Sequence, residues 1–358
     1  MKAAVLLSLL MTSAAVAQEA SSGFELRTTL SAEGIYARQL SEPPRNGNAA
    51  AAGMRAMFYP TWKLDGHWTV SGAVQVHTRP YFTEEFSTQG EGIRADLLQL
   101  HLGYARFWND RSVVVRIGQL ASAFGNFLLR YDDAVNPLID MPLTYGYYYK
   151  GITNFGLPGA QVDVTLGKLD ARAQFANSSP ANRRSLFDSD QYGNWAGGIG
   201  YTIAPGFRAG ASAYRGPYLH RQHPYYRPGE AKPSELPATG VGIDVQWSRG
   251  YWTAYGEWQW FSRAYRVMPD FTQQGSYAEI RRVLHPRWFV AGRVGYLRSS
   301  VGGTISSYDS CVGFRPNSQQ IVKVGYQVRD SSLPGRPPAT SVVVQFVTSV
   351  RLLSLARD

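Results

Sequence analysis

The charged side chains of this sequence recur at alternate positions of short apolar segments, and they do not gather into a catalytic motif. In residues 321–329, Lys323 and Arg329 lie on one side of an alternating pattern, and Val322 and Val324 lie on the other. Successive side chains of a β-strand point to opposite faces, so this pattern predicts a strand with one charged and one apolar face. Charges on a face that borders water can attract or repel ions.

The same alternation assigns many other charged side chains to polar strand faces. The basic ones number ten: Arg27, Arg55, Lys63, Arg116, Arg172, Arg208, Arg281, Arg293, Lys323 and Arg329. The acidic ones number six: Glu33, Asp163, Asp170, Asp244, Glu257 and Glu279. If these faces line a narrow water-filled pore, the basic surplus favours anions. The alternative is that the arginines pair with carboxylates and stiffen the wall.

Enzymatic and metal-binding chemistry is not indicated. The sequence has neither a G-x-S-x-G nor an H-E-x-x-H motif, and the single Cys311 excludes a disulfide and a cysteine-based metal site. We expect His77 and His101 to be polar lining, and His220 and His223 to belong to an exposed recognition loop. The sequence therefore predicts a non-enzymatic protein with no catalytic residues, no metal and no cofactor. The basic residues are spread over many strands, which argues against a nucleic-acid partner.

The elements that must position these charges are short alternating segments, of which we identify about sixteen between residues 24 and 350. Seven connections are tight turns and eight are long and polar, and the two kinds alternate along the chain. This pattern predicts an all-β fold, a transmembrane antiparallel β-barrel of about sixteen strands whose apolar face contacts lipid. In the fourth strand, for example, Leu98, Leu100, Leu102 and Tyr104 are expected on the lipid side. A soluble β-protein is the alternative, but it would leave much of so large a sheet uncovered.

The first residues indicate export. Residues 1–17 combine a lysine, a short apolar run and a small-residue cleavage site, which predicts a signal peptide followed by one barrel domain, 18–358. The chain has 22 Tyr and 9 Trp, and outer-membrane barrels carry such residues as girdles. We therefore expect the outer membrane of a Gram-negative bacterium, with membrane lipid and lipopolysaccharide as partners.

The third long connection, residues 121–157, is too apolar for an exposed loop of its length. A long loop in a compact domain is usually functional, and we expect this one to fold into the barrel and narrow the pore. The alternative is an outward loop for subunit contact or a lid. The side chains predicted near the constriction are Arg130, Asp132, Asp133, Asp140, Tyr145 and Lys150.

Two segments resemble a known family. The segment RIGQLASAFGNF (116–127) resembles the Gly-Gln-Phe-x-x-x-Phe-Gly element of the phosphate-selective porin O and P family, and the closing segments RPNSQQIVKVGYQVRD and VVVQFV resemble the same family. The resemblance implies a sixteen-stranded, trimeric outer-membrane porin with an inward third loop and a basic lumen. Leu120 replaces the family's usual Phe, Ala123 stands where Pro is common, and the loop carries aspartates, so phosphate selectivity is not carried over.

The functional prediction is a water-filled channel for passive diffusion of small hydrophilic solutes, favouring anions such as phosphate or small organic acids. A homotrimer is expected from the resemblance only. The alternative is a non-conducting barrel that acts as a surface receptor or structural protein, with its lumen filled by the third loop.

Overall fold

The computed structural model describes residues 22–40, 48–79, 81, 92–145, 155–177, 193–217, 235–265, 269–332 and 338–356. The predicted signal peptide, Lys150 and the loop with His220 and His223 lie outside these ranges. In the described part of the chain, no helix is long and apolar enough to cross a membrane.

Sixteen strands make up the described fold, together with two 3-10 turns at Arg38–Leu40 and Phe127–Arg130. The strands are β1 Gly23–Tyr36, β2 Ala50–Lys63, β3 Trp68–Arg79, β4 Gly92–Trp108, β5 Arg111–Leu120, β6 Leu157–Leu166, β7 Leu169–Asn177, β8 Gly193–Ala204, β9 Phe207–Pro217, β10 Pro237–Arg249, β11 Trp252–Arg263, β12 Phe271–His285, β13 Trp288–Ser299, β14 Gly303–Phe314, β15 Gln320–Ser331 and β16 Ala339–Ala356.

Each strand pairs with its neighbours in sequence, and β1 pairs antiparallel with β16, so the sheet is a closed barrel. Closure gives every strand two hydrogen-bonded neighbours and removes the free edges that lipid cannot satisfy. The predicted all-β transmembrane barrel of sixteen strands is confirmed.

The connections follow the predicted alternation with one exception. β14 begins at Gly303, so only residues 300–302 separate it from β13. The sequence analysis began this strand at Ser307 and counted the connection among the long ones, which was wrong. Gly303 has a φ of 71°, a backbone conformation that favours glycine, and it lets a tight turn close where a longer polar loop was expected.

The two strand faces separate as expected from their alternation. On β15, Val324 is 48% exposed and Tyr326 is 49% exposed on the outer surface, whereas Lys323 is 0% exposed inside the barrel. Trp68, Trp252 and Trp288 stand beside the tight turns at one end, where they form part of an aromatic girdle.

Strand β4 departs from the predicted parity. Ala73 of β3 pairs with Gln99, but Val74 pairs with Leu97, so a bulge inserts Leu98 between them. Leu98 therefore points inward and is 3% exposed, packed with Met57, Ala73 and Phe155. The expectation that Leu98 shares the lipid face with Leu100 was wrong, because an extra residue in one strand shifts the faces on either side of it.

Candidate functional site: the loop-constricted lumen

The described parts of the third loop, residues 121–145 and 155–156 between β5 and β6, fold into the barrel as predicted. Its first contacts run along the inner wall. The backbone N–H of Ala123 donates to Gln174 of β7 at 3.0 Å, and that of Gly125 donates to Ser212 of β9 at 3.3 Å. Asn126 then reaches Asp244 of β10 at 3.2 Å. The loop is thus attached to successive strands by its own backbone and amide groups.

Residues 127–133, called the strut below, carry the loop across the lumen. On one side of the lumen Arg130 donates to Glu279 of β12 at 2.5 Å, and its guanidinium lies 3.6 Å from the ring centre of Tyr255 on β11. On the other side the adjacent Tyr131 donates to Gln75 of β3 at 2.9 Å. The strut therefore connects β11 and β12 with the opposite wall.

Asp133 closes the far end of the strut. Arg55 of β2 donates to it at 3.1 Å, Ser31 of β1 at 2.7 Å and Tyr81 at 2.9 Å. The guanidinium of Arg55 also lies 4.3 Å from the ring centre of Tyr131. Charge-assisted hydrogen bonds are stronger than neutral ones, so Asp133 is the firmest attachment of the strut.

Lys323 binds the returning part of the loop through its backbone. Its buried ammonium donates to the carbonyls of Asp133 at 2.6 Å, Asn136 at 2.8 Å and Leu138 at 3.3 Å, and to Gln345 at 3.1 Å. Three carbonyls on one ammonium fix the local path of the chain. The positive charge of Lys323 is therefore turned toward the loop and away from the remaining lumen.

Asp140 of the loop is bound by arginines from two strands. Arg293 of β13 donates to its carbonyl oxygen at 2.8 Å, and Arg329 of β15 pairs with its carboxylate at 3.3 Å. Arg293 also pairs with Glu279 at 3.5 Å and with Asp309 at 3.1 Å. Asp309 was missed in the sequence analysis, although the alternation of residues 307–315 places it on the inner face with Cys311.

Tyr145 attaches the last described turn of the loop. Its hydroxyl donates to Glu257 of β11 at 2.6 Å and accepts from the backbone N–H of Asn126 at 3.0 Å. Burial, together with the neighbouring Glu257 carboxylate, raises the pKa of Tyr145 well above its ordinary value. The hydroxyl therefore stays protonated and keeps donating.

The predicted basic residues fall into two groups. Arg55, Arg172, Arg293, Lys323 and Arg329 contact the loop, and Arg172 does so by donating to the carbonyl of Gly125.

The second group does not contact the loop through any of the described hydrogen bonds. Arg116 pairs with Asp163, Arg208 with Asp170 and Asp244, and Arg27 with Glu25, while Arg281 lies over the ring of Phe289. Lys63 is partly exposed at the end of β2.

The loop leaves the two sides of the lumen unequal. Beneath it, the inward side chains of β10–β16 are mostly buried, among them Asp244, Glu257, Arg293 and Lys323. Several inward polar side chains on β4–β9, called the open wall below, remain partly exposed, although Gln174, Asn194 and Ser212 on the same strands are buried. The polar members of the open wall are Gln99, His101, Arg116, Gln161, Asp163, Asp170, Arg172 and Arg208.

The described residues contain no group of three His, Cys, Asp or Glu side chains placed to hold a metal ion. Their buried carboxylates are instead engaged by arginines, tyrosines and amides, as at Asp133 and Glu257. The chemistry available at the open wall is the binding and screening of charge.

Comparisons with known proteins give a structural likeness alone. A scan against protein-family models found no match, and no curated protein matches the sequence.

Among solved structures, the chain is similar to an anion-selective porin from Comamonas acidovorans, with a TM-score of 0.62, 10% identity, and 92% of this chain and 100% of that chain covered. It is similar to OprB of Pseudomonas putida, with a TM-score of 0.65, 12% identity and 96% of each chain covered. It is also similar to the trimer form of OmpT, an outer membrane protein of Vibrio cholerae, with a TM-score of 0.60, 9% identity, and 92% of this chain and 100% of that chain covered. At these identities the likeness shows the fold, a closed barrel of the kind found in porins.

Proposed function

We propose that this protein is an outer-membrane porin that lets small hydrophilic solutes diffuse passively, with a preference for anions such as phosphate or small organic acids. The observation that carries the proposal is the open wall. Arg116, Arg172 and Arg208 remain partly exposed there beside Asp163 and Asp170, and the strut crosses the same lumen. A narrow aqueous passage with low-dielectric walls amplifies a small surplus of positive charge.

The cellular setting is part of the proposal. A signal peptide at residues 1–17 directs export, and the outer membrane supplies the lipid and lipopolysaccharide around the apolar outer face. We propose a homotrimer, supported by the resemblance to the phosphate-selective porin O and P family and by the trimer form of the similar OmpT structure. The transport is passive, so neither catalysis nor a cofactor enters it.

The resemblance to the phosphate-selective porin O and P family remains a proposal. The similar anion-selective porin supports the coarser statement that the solutes are anions. Among the described residues there is no dense basic cluster open to phosphate, because Arg55, Arg293 and Lys323 are buried against the loop. We therefore propose anions as a class.

The test is the reversal potential of the folded protein in a planar bilayer across a KCl gradient. We expect the sign of an anion-selective pore, and a shift toward cation selectivity in Arg172→Gln, whose charge borders the open wall. Lys168→Gln, at an exposed turn, is the matched control and should leave the potential unchanged. A cation-selective wild-type protein would overturn the anion preference.

The second candidate function is a non-conducting barrel that serves as a surface receptor or structural protein. The observation in its favour is the dense packing under the loop, where Leu143, Phe124 and Phe261 are buried in one cluster. Conductance separates the two candidates. Folded, inserted protein that carries no current would select the non-conducting barrel.

A further inference from the structure

One apolar side chain of the strut projects into the lumen. Leu129 is 45% exposed, although its neighbours Phe127 and Arg130 are buried. Val324 and Tyr326 are similarly exposed, but to lipid, whereas Leu129 lies on a segment that crosses the inside of the barrel. A single exposed leucine is ordinary on a protein surface, so its surroundings decide whether it has a role.

Leu129 is part of a larger apolar surface. Leu128 and Tyr131 are partly buried and pack against the clusters at both ends of the strut. Tyr59 adjoins one cluster and Tyr255 the other, and both keep part of their surface exposed. These five side chains, Tyr59, Leu128, Leu129, Tyr131 and Tyr255, are called the apolar strip below.

Two tyrosine rings of the strip are packed against arginines. Arg55 lies 4.3 Å from the ring centre of Tyr131, and Arg130 lies 3.6 Å from that of Tyr255. Both guanidinium groups are also bound to carboxylates, Asp133 and Glu279. The hydroxyls of Tyr59 and Tyr131 are in turn bound to Asp132 and Gln75, so both rings are held in place with their polar ends occupied.

The open wall borders the same lumen as the strip and carries the opposite chemistry. Arg172 donates to the carbonyl of Gly125 just before the strut, which places it at the level of the constriction. Arg116 of β5 is opposite Gln161 of β6, Gln161 is opposite Gln174 of β7, and Gln174 binds the loop at Ala123. The lumen thus offers apolar side chains on the strut and arginines on the open wall.

We infer that the strip is an apolar subsite and that Leu129 is its specificity-determining residue, favouring small carboxylates with an apolar body over inorganic anions of similar charge. This inference rests on the proposed anion-conducting pore. The carboxylate of such a solute faces the arginines of the open wall, while its apolar body is removed from water against Leu129 and the tyrosine rings. Chloride and phosphate have no apolar surface and gain nothing from the strip.

The experiment measures the permeability ratio of benzoate to chloride from bi-ionic reversal potentials in a planar bilayer. The variant is Leu129→Asn, which keeps the approximate size and replaces the apolar end with an amide, and Leu129→Gln is a second polar variant. Leu129→Met keeps the side chain apolar and serves as the matched control. Thr69→Asn introduces the same amide at a partly exposed inward position of β3, away from the strip.

We expect both polar variants to lower the benzoate-to-chloride ratio about fivefold, the effect of losing part of a leucine's apolar contact. Leu129→Met and Thr69→Asn should keep the ratio within about twofold of the wild type. An unchanged ratio in Leu129→Asn and Leu129→Gln, in pores that still conduct KCl with anion selectivity, would overturn the subsite. A wild-type protein that carries no current, or whose reversal potential is not that of an anion-selective pore, would instead overturn the proposed pore.

Discussion

Replacing Lys323 by Met removes the ammonium that holds three carbonyls of the third loop but keeps a side chain of similar length. The bonds lost are those to Asp133, Asn136 and Leu138, at 2.6, 2.8 and 3.3 Å. Lys323 and the three residues that carry these carbonyls are all buried, so water has little access to the oxygens in the docked loop. We predict that Lys323→Met loosens the loop and leaves the barrel folded.

The magnitude follows from the bonds. Each buried carbonyl without a partner costs about 1–3 kcal/mol, and the three costs overlap because small shifts can rescue some of the oxygens. Removal of the buried charge also removes its own desolvation cost, which offsets part of the loss. A net loss of about 3 kcal/mol for the docked loop corresponds to an increase of about 150-fold in the undocked population.

The assay is amide hydrogen exchange of Val135 and Asn136, whose N–H groups donate to Asp132 at 3.0 and 2.8 Å in the docked loop. Their exchange should accelerate about 100-fold in Lys323→Met through local opening. Lys168→Met, the same change at an exposed turn, should leave exchange at the wild-type rate. Unchanged exchange in a correctly folded Lys323→Met barrel would refute the view that this lysine anchors the loop.

Three further predictions concern the open wall, the bulge and the loop attachment. Arg116→Gln should lower the ratio of anion to cation permeability about twofold and Asp163→Asn should raise it by a similar factor, measured as reversal potentials, because the two side chains pair at the open wall. A shift of both variants in one direction would contradict this. Leu98→Ala should lower the free energy of unfolding, measured by urea refolding, by about 2–4 kcal/mol, which is more than the loss in Leu100→Ala. The reason is that the inward substitution leaves a cavity, whereas lipid fills the space left by the outer one. Equal losses would show that the bulge does not turn Leu98 inward. Tyr145→Phe should increase open-channel current noise, since it removes the donor to Glu257. The hydrogen bond from Tyr145 to Glu257 needs a protonated hydroxyl, and the pKa of Tyr145 is raised. The bond therefore stabilises the loop fully below about pH 10, the ordinary tyrosine pKa, and is lost as pH rises through the raised value. The wild type should become as noisy as Tyr145→Phe only in strong alkali.

Much of the barrel could be predicted from the sequence because its signals are local. The alternation that separates Lys323 from Val324 has a period of two residues, and the turn at Asp65 and Gly66 marks the hairpin between β2 and β3 without reference to the rest of the chain. The inward path of the third loop was also predictable, since residues such as Phe124 and Leu143 require burial.

The predictions failed where one strand depends on another. Leu98 faces inward because β3 and β4 pair with an extra residue in β4, which no pattern within β4 reveals. The connection before β14 is short because the strand begins at Gly303, where Gly303 pairs with Ser299. Both features belong to the register between strands, which side-chain contacts of the whole barrel select.

The sequence by itself determined the closed-barrel architecture, most strand faces and most of the charged side chains that point inward, because each depends on residues close together in the chain. Only the tertiary structure decided what those charges do. Lys323 lies 190 residues from the carbonyl of Asp133 that it binds, and Arg293 lies 153 residues from the carbonyl of Asp140. The loop binds Arg293 and Arg329 and leaves Arg116 and Arg208 at the open wall. That division follows from contacts between distant segments, about which a local pattern carries no information.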